Sequence, residues 1–177
     1  MTPYRQPPWM KIYLGHAIGT AVLGMLLLSS NQTKKLHPYT QPILEWFPGA
    51  ISISKQAPDP VSTQVFLVIS MLIAAILLIW AVGNVSRGGY HTKTFDSQKE
   101  RWTVLLFGWA LAVIFVTCLW NVSYSMDGAQ TRAYFFIKVA ISSKFGVLTA
   151  MNQLIVGLPL FFIVTTTTAP FCIKVRA

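Results

Sequence analysis

The chain has 177 residues, of which 54% are hydrophobic and 11% charged, against roughly 25% charged in an ordinary soluble domain, so a water-facing surface cannot be assembled from it. Its 14 Lys and Arg against 5 Asp and Glu give a formal charge of +9, a balance that in a soluble protein would indicate nucleic acid. Here the basic residues flank apolar runs, as in membrane chains that fix their orientation and meet anionic headgroups, and no nucleic-acid partner is expected.

A single integral membrane domain is the simplest organisation. The composition predicts an all-α membrane protein, with four transmembrane helices in a bundle and a short interfacial helix. The first apolar run covers about 10–28, close to the 20 or so residues a bilayer span requires. Arg5 and Lys11 precede it and Ser29 and Ser30 follow, but no A-x-A-like site is present, so it reads as a span and not as a cleaved secretory peptide. The 29–60 segment carries Pro38, Pro42, Pro48, Pro58 and Pro60 and is expected to be a loop with only short local structure. Within it, Pro48-Gly49 reads as a turn closing an interfacial patch made by Trp46 and Phe47. Asp59 reads as an N-cap, with Pro60 at the first helical position of the second span.

The second span is placed at about 61–85 and the third at about 102–122, joined by the mixed-charge connection 86–101. Within the 123–144 loop, the stretch 131–144 places aromatic residues beside Arg132, Lys138 and Lys144. A Lys at the bilayer centre costs about 2.5–3.5 kcal/mol, so this piece is expected to lie at the interface with its lysines snorkelling. The fourth span, about 145–164, holds Asn152 and Gln153, which need partners at membrane depth, and Pro159, which should kink it. Arg5, Lys11, Arg87, Lys93, Lys99, Arg101, Lys174 and Arg176 form the larger basic set. They place both termini and 86–101 in the cytoplasm, with 29–60 and 123–144 on the periplasmic side.

Lipid supplies no hydrophobic drive between helices, so packing requires close backbone approach. Gly15-x-x-x-Gly19, Ser70-x-x-x-Ala74 and Gly108-x-x-x-Ala112 each set two small residues on one helix face and are the candidate helix-packing positions.

Catalytic chemistry finds little footing. Glu45, Asp59, Asp96, Glu100 and Asp127 all fall outside the expected spans, which rules out an intramembrane carboxylate pair or proton relay. His16, near the end of span one, is the only ionisable side chain in an apolar run, and His37 and His91 lie in connections, so bis-imidazole haem ligation is not available. A hydrogen-bonded or interfacial role for His16 is weighed above a ligand role. Cys118 and Cys172 have no metal or redox spacing. No enzyme activity, metal or cofactor is expected, and binding remains: a structural subunit of a larger complex, or recognition of something that enters the same bilayer.

Three segments carry a resemblance to a known family. "FPGAISIS" followed by "DPVST" in the first loop, "NVSYSMDGAQ" at 121–130, and "APFCIKVRA" at the C-terminus are similar to the inner-membrane immunity proteins that protect colicin-producing bacteria from their own pore-forming colicin, of the four-span colicin A and B type. The resemblance implies a bacterial inner-membrane protein that binds the membrane-inserted pore-forming domain of a cognate colicin and keeps its channel closed. It assigns the partner-reading positions to Pro48, Asp59, Pro60, Val61, Thr63, Asn121 and Gly128, with spans one to three offering small-residue faces to the inserted hairpin. The alternative is a non-catalytic accessory subunit of a respiratory or secretion complex in the inner membrane.

Overall fold

A computed structural model of the chain describes residues 7–28, 32–87, 90, 93–121 and 152–175. Among these the elements are α1 (Trp9–Leu28), α2 (Gln32–Leu44), α3 (Pro48–Ser54), α4 (Pro60–Arg87), β1 (Lys93–Phe95), α5 (Gln98–Asn121), a π-turn (Gln153–Gly157), α6 (Leu158–Cys172) and β2 (Ile173–Val175). The protein is mostly helical, as its composition requires. Pro60–Arg87 and Gln153–Cys172 are long and apolar enough to cross a membrane by length and composition. The side chains of Leu27 and Leu28 in the 20-residue α1, and those at 118–121 of the 24-residue α5, lie outside those described. The expected interfacial helix at 131–144 also lies outside the described residues.

α4 is the central helix, packing against α1, α2, α3 and α6. Its first turns are enclosed on every side, with Ser62, Thr63, Val65, Phe66, Leu67 and Val68 all buried, whereas farther along only a stripe through Ser70, Ala74, Ala81 and Val85 faces inward. The change follows from what surrounds it: α2 and α3 cover the N-terminal half only. The start of α4 obeys the expected capping rule. Asp59 Oδ1 accepts from the Ser62 N–H at 3.1 Å and the Asp59 carbonyl accepts from the Thr63 N–H at 3.0 Å, with Pro60 at the first position, where no N–H is needed.

The 29–60 segment departs from the loop expectation. α2 runs through both Pro38 and Pro42. A proline inside a helix normally removes a backbone bond and crowds the carbonyl four residues back, but both rings lie on the exposed side, while Thr33, His37, Thr40 and Leu44 form the inner stripe. That stripe is anchored on α4 by Thr33 Oγ1 to Ser62 Oγ at 2.9 Å and His37 Nε2 to Gln64 Oε1 at 2.8 Å. Tertiary bonds on one face thus outweigh the broken ladder on the other. Pro48-Gly49 is likewise a helix start and not a turn: Pro48 takes the first position of α3, and the Phe47 carbonyl receives the Ala50 and Ile51 N–H groups at 3.0 and 3.2 Å.

The last helix runs past its expected end at 164, to Cys172, and 145–151 lie outside the described residues. Pro159 lies within the continuous stretch Gln153–Cys172, in the first positions of α6 just after the π-turn, where the Leu158 N–H reaches back to the Gln153 carbonyl. α6 then continues through Pro170 to Cys172. Pro170 has no N–H to give the Thr166 carbonyl, and the Trp109 indole from α5 supplies it instead, Nε1 to Thr166 O at 2.8 Å. Arg101 Nη2 donates to the Pro170 carbonyl at 3.1 Å in the same α5–α6 seam.

β2 pairs in parallel with β1, Thr94 opposite Lys174. This brings the connection after α4 to the C-terminal end of α6, and Trp9 Nε1 donates to Thr168 Oγ1 at 2.8 Å, so α1 begins at that same end of the bundle.

Replacing Trp109 by Phe leaves the Thr166 carbonyl without a donor and is expected to cost about 1–3 kcal/mol in equilibrium unfolding. Pro170→Ala restores the backbone N–H, so Trp109→Phe should cost clearly less in that background; equal costs in both backgrounds would refute the substitution of indole for amide.

Candidate functional site

The buried side of α1 is a stripe at four-residue intervals, Ile12, His16, Thr20 and Gly24, and two polar residues in it organise the centre of the bundle. His16 is fully buried in the body of α1, not near its end as expected, with Nε2 at 3.1 Å from Ser70 Oγ and 3.4 Å from the Ser70 carbonyl of α4. Thr20 Oγ1 donates to the His16 carbonyl at 2.7 Å and accepts from Asn152 Nδ2 at 3.0 Å. Asn152 therefore has the partner its depth demands, and His16 is the hydrogen-bonded helix residue of the two readings weighed. The Gln153 amide lies against the His16 ring, yet neither of its polar atoms reaches hydrogen-bond geometry with a neighbour.

The π-turn explains why Gln153 can fold inward. A Cβ at Gly157 would collide with Gln153 Oε1 and stand 3.3 Å from the Tyr13 ring; glycine leaves the ground over which the amide lies. Thr20 was not anticipated from the sequence, although its spacing from His16 on an apolar helix is a usable signal. The threonines at 165–168 were also passed over. Each returns its hydroxyl to a carbonyl three or four residues back, as Thr168 does to Val164 at 2.6 Å and Thr166 to Phe162 at 2.7 Å, so a polar run is carried inside an apolar helix. Among the described residues no three His, Cys, Asp or Glu side chains gather as a metal site.

The candidate packing residues divide. Ser70 and Ala74 are buried, and Ser70 is the partner of His16. Ala112 is buried against α6. Gly15 and Gly19 instead face outward, and a Cβ at Gly15, Gly19 or Gly108 would meet nothing within 4 Å. They correct the expectation of a contact face within the bundle: the inner stripe of α1 is taken by Ile12, His16 and Thr20, which turns the glycines to the outside. Around them the surface is apolar, with Ile18 66% and Val22 55% exposed. A groove of about 390 Å³ opens between α5 and α6, lined by Trp109, Ala112, Val116, Thr117, Ile163 and Thr167 among others.

Of the loop positions, Pro48 opens α3 and is exposed, while Asp59, Pro60 and Val61 are half-buried at the start of α4 and Thr63 is buried, its hydroxyl donating to the Asp59 carbonyl at 2.8 Å. Asn121 is the last described residue of α5, and Gly128 lies outside the described residues. The chain matches no family profile, no curated protein and no solved structure.

Gly157→Ala forces the Gln153 amide from its seat, and overpacking of this kind costs about 1–3 kcal/mol. The drop should appear in equilibrium unfolding of Gly157→Ala and be absent from Gly19→Ala, where a methyl group meets open space.

Proposed function

We propose that the chain is a multi-pass inner-membrane immunity protein, which binds the membrane-inserted pore-forming domain of a cognate colicin and prevents channel opening. In this reading α1, α4, α5 and the π-turn with α6 are the four spans, the termini and the 86–101 connection are cytoplasmic, and α2 and α3 belong to the periplasmic side. No cofactor and no bond-making chemistry enter. The partners are the bilayer and the inserted toxin domain.

One observation supports the membrane setting of this reading: buried polar side chains such as His16, Thr20 and Asn152 bond inside the bundle, and the helix exteriors are apolar. Met10, Leu14, Ile18 and Val22 on α1, Leu72, Ile76 and Ile79 on α4, and Leu106, Phe107, Val113 and Ile114 on α5 are all exposed, a distribution suited to lipid. Within that exterior, Gly15 and Gly19 offer the close backbone approach by which one membrane helix receives another. A hydrophobic hairpin entering from the periplasm would meet this face and Pro48, Asp59, Pro60 and Val61. Discrimination between toxins is then a difference of affinities, and each factor of ten corresponds to about 1.4 kcal/mol.

The test is expression in a sensitive enterobacterial strain challenged with a panel of pore-forming colicins. Protection against one member is expected, with killing by the rest. Gly15→Leu and Gly19→Leu should abolish protection without loss of folded protein, because both positions are open in the isolated chain. Killing by every member, together with stoichiometric co-purification of other membrane proteins, would replace this reading with the accessory subunit.

A further inference from the structure

Four enclosed polar atoms on side chains of α1 and the π-turn have no hydrogen-bond partner: His16 Nδ1, Asn152 Oδ1, and Gln153 Oε1 and Nε2. His16 and Asn152 are 0% exposed, so water at the protein surface does not reach them. Buried polar atoms are rarely left unbonded, and each exception demands an explanation.

The bonds already made fix what chemistry is lacking. His16 Nε2 meets both the Ser70 carbonyl, which can only accept, and the Ser70 hydroxyl, which can do either, so Nδ1 is an acceptor in one tautomer and a donor in the other. Asn152 uses its amide nitrogen on Thr20, so Oδ1 is the atom left over, an acceptor. Gln153 adds one acceptor and an NH₂ donor. The set holds both acceptors and donors and is uncharged. A divalent cation requires carboxylates that are not there, and an apolar occupant would satisfy none of these atoms. A small neutral molecule that both donates and accepts hydrogen bonds satisfies them in either tautomer, and water is that molecule.

The backbone is suited to it. A π-turn widens the helix by one residue and is a recurrent feature of functional sites in helices, and here it is followed at once by Gly157, whose missing side chain leaves room for the Gln153 amide. We propose that His16, Asn152 and Gln153 form an enclosed water-binding site at the π-turn, a hydrated junction joining α1, α4 and α6. The inference is independent of the toxin-binding reading.

Radiolytic oxygen labelling of the full chain in lipid nanodiscs in ¹⁸O-water tests it, because a bound water marks the side chains it touches even when they are buried. His16 should incorporate ¹⁸O several-fold faster than the equally buried Phe66 and Phe95. Gln153→Leu alone, and Asn152→Leu with Gln153→Leu, should bring His16 down toward the Phe66 level. The proposal is overturned if His16 in the wild-type chain is as protected as Phe66, which is decided without any variant. It is overturned also if labelling persists in a folded double variant, or if sodium or potassium suppresses it, since a monovalent cation would then be the occupant. Colicin protection is read separately and does not bear on this result.

Discussion

A hydroxyl, amide or imidazole enclosed among apolar side chains is costly unless it is hydrogen-bonded, and the interior of this bundle is arranged around that constraint. Its polar side chains are turned inward and tied between helices: His16 to Ser70, Asn152 to Thr20, Trp9 to Thr168, Thr33 to Ser62. Two of these ties use one device. A threonine hydroxyl donates to a carbonyl of its own helix, and its oxygen remains open to a donor from another, the Asn152 amide at Thr20 and the Trp9 indole at Thr168. Apolar side chains fill the space between these ties, as Leu67, Val68, Val156 and Leu160 do, and the rest cover the outside.

The same constraint decides where prolines are tolerated. Pro60 and Pro48 begin helices, where no donor is missed. Pro38 and Pro42 lie on the outer side of α2, away from the bonds that hold it to α4. Pro170 is the demanding case, since it lies within α6, and the Trp109 indole replaces its absent amide. That bond also sets how α5 lies on α6, and so shapes the groove between them.

What could be read from the sequence was what depends on neighbouring residues. The Asp59-Pro60 start of α4, the apolar stretch of α1 and the inward need of Asn152 all follow from local rules. The α2 helix could not be read so: its stability rests on residues in α4 that the proline rule does not see. The glycine pair of α1 failed for a related reason. Spacing places Gly15 and Gly19 on one face, but which face turns inward is settled by His16 and Thr20, whose partners, Ser70 and Asn152, are far away in the chain. Asp59 and Pro60 were legible as capping chemistry, whereas Pro48, read as a turn, begins α3.

The pairing of β1 with β2 joins the connection after α4 to the strand that follows α6. During synthesis the backbone groups of Lys93–Phe95 have no strand to join until Ile173–Val175 have left the ribosome, so the end of the bundle where α4, α5 and α6 meet is latched only after all three helices have been made.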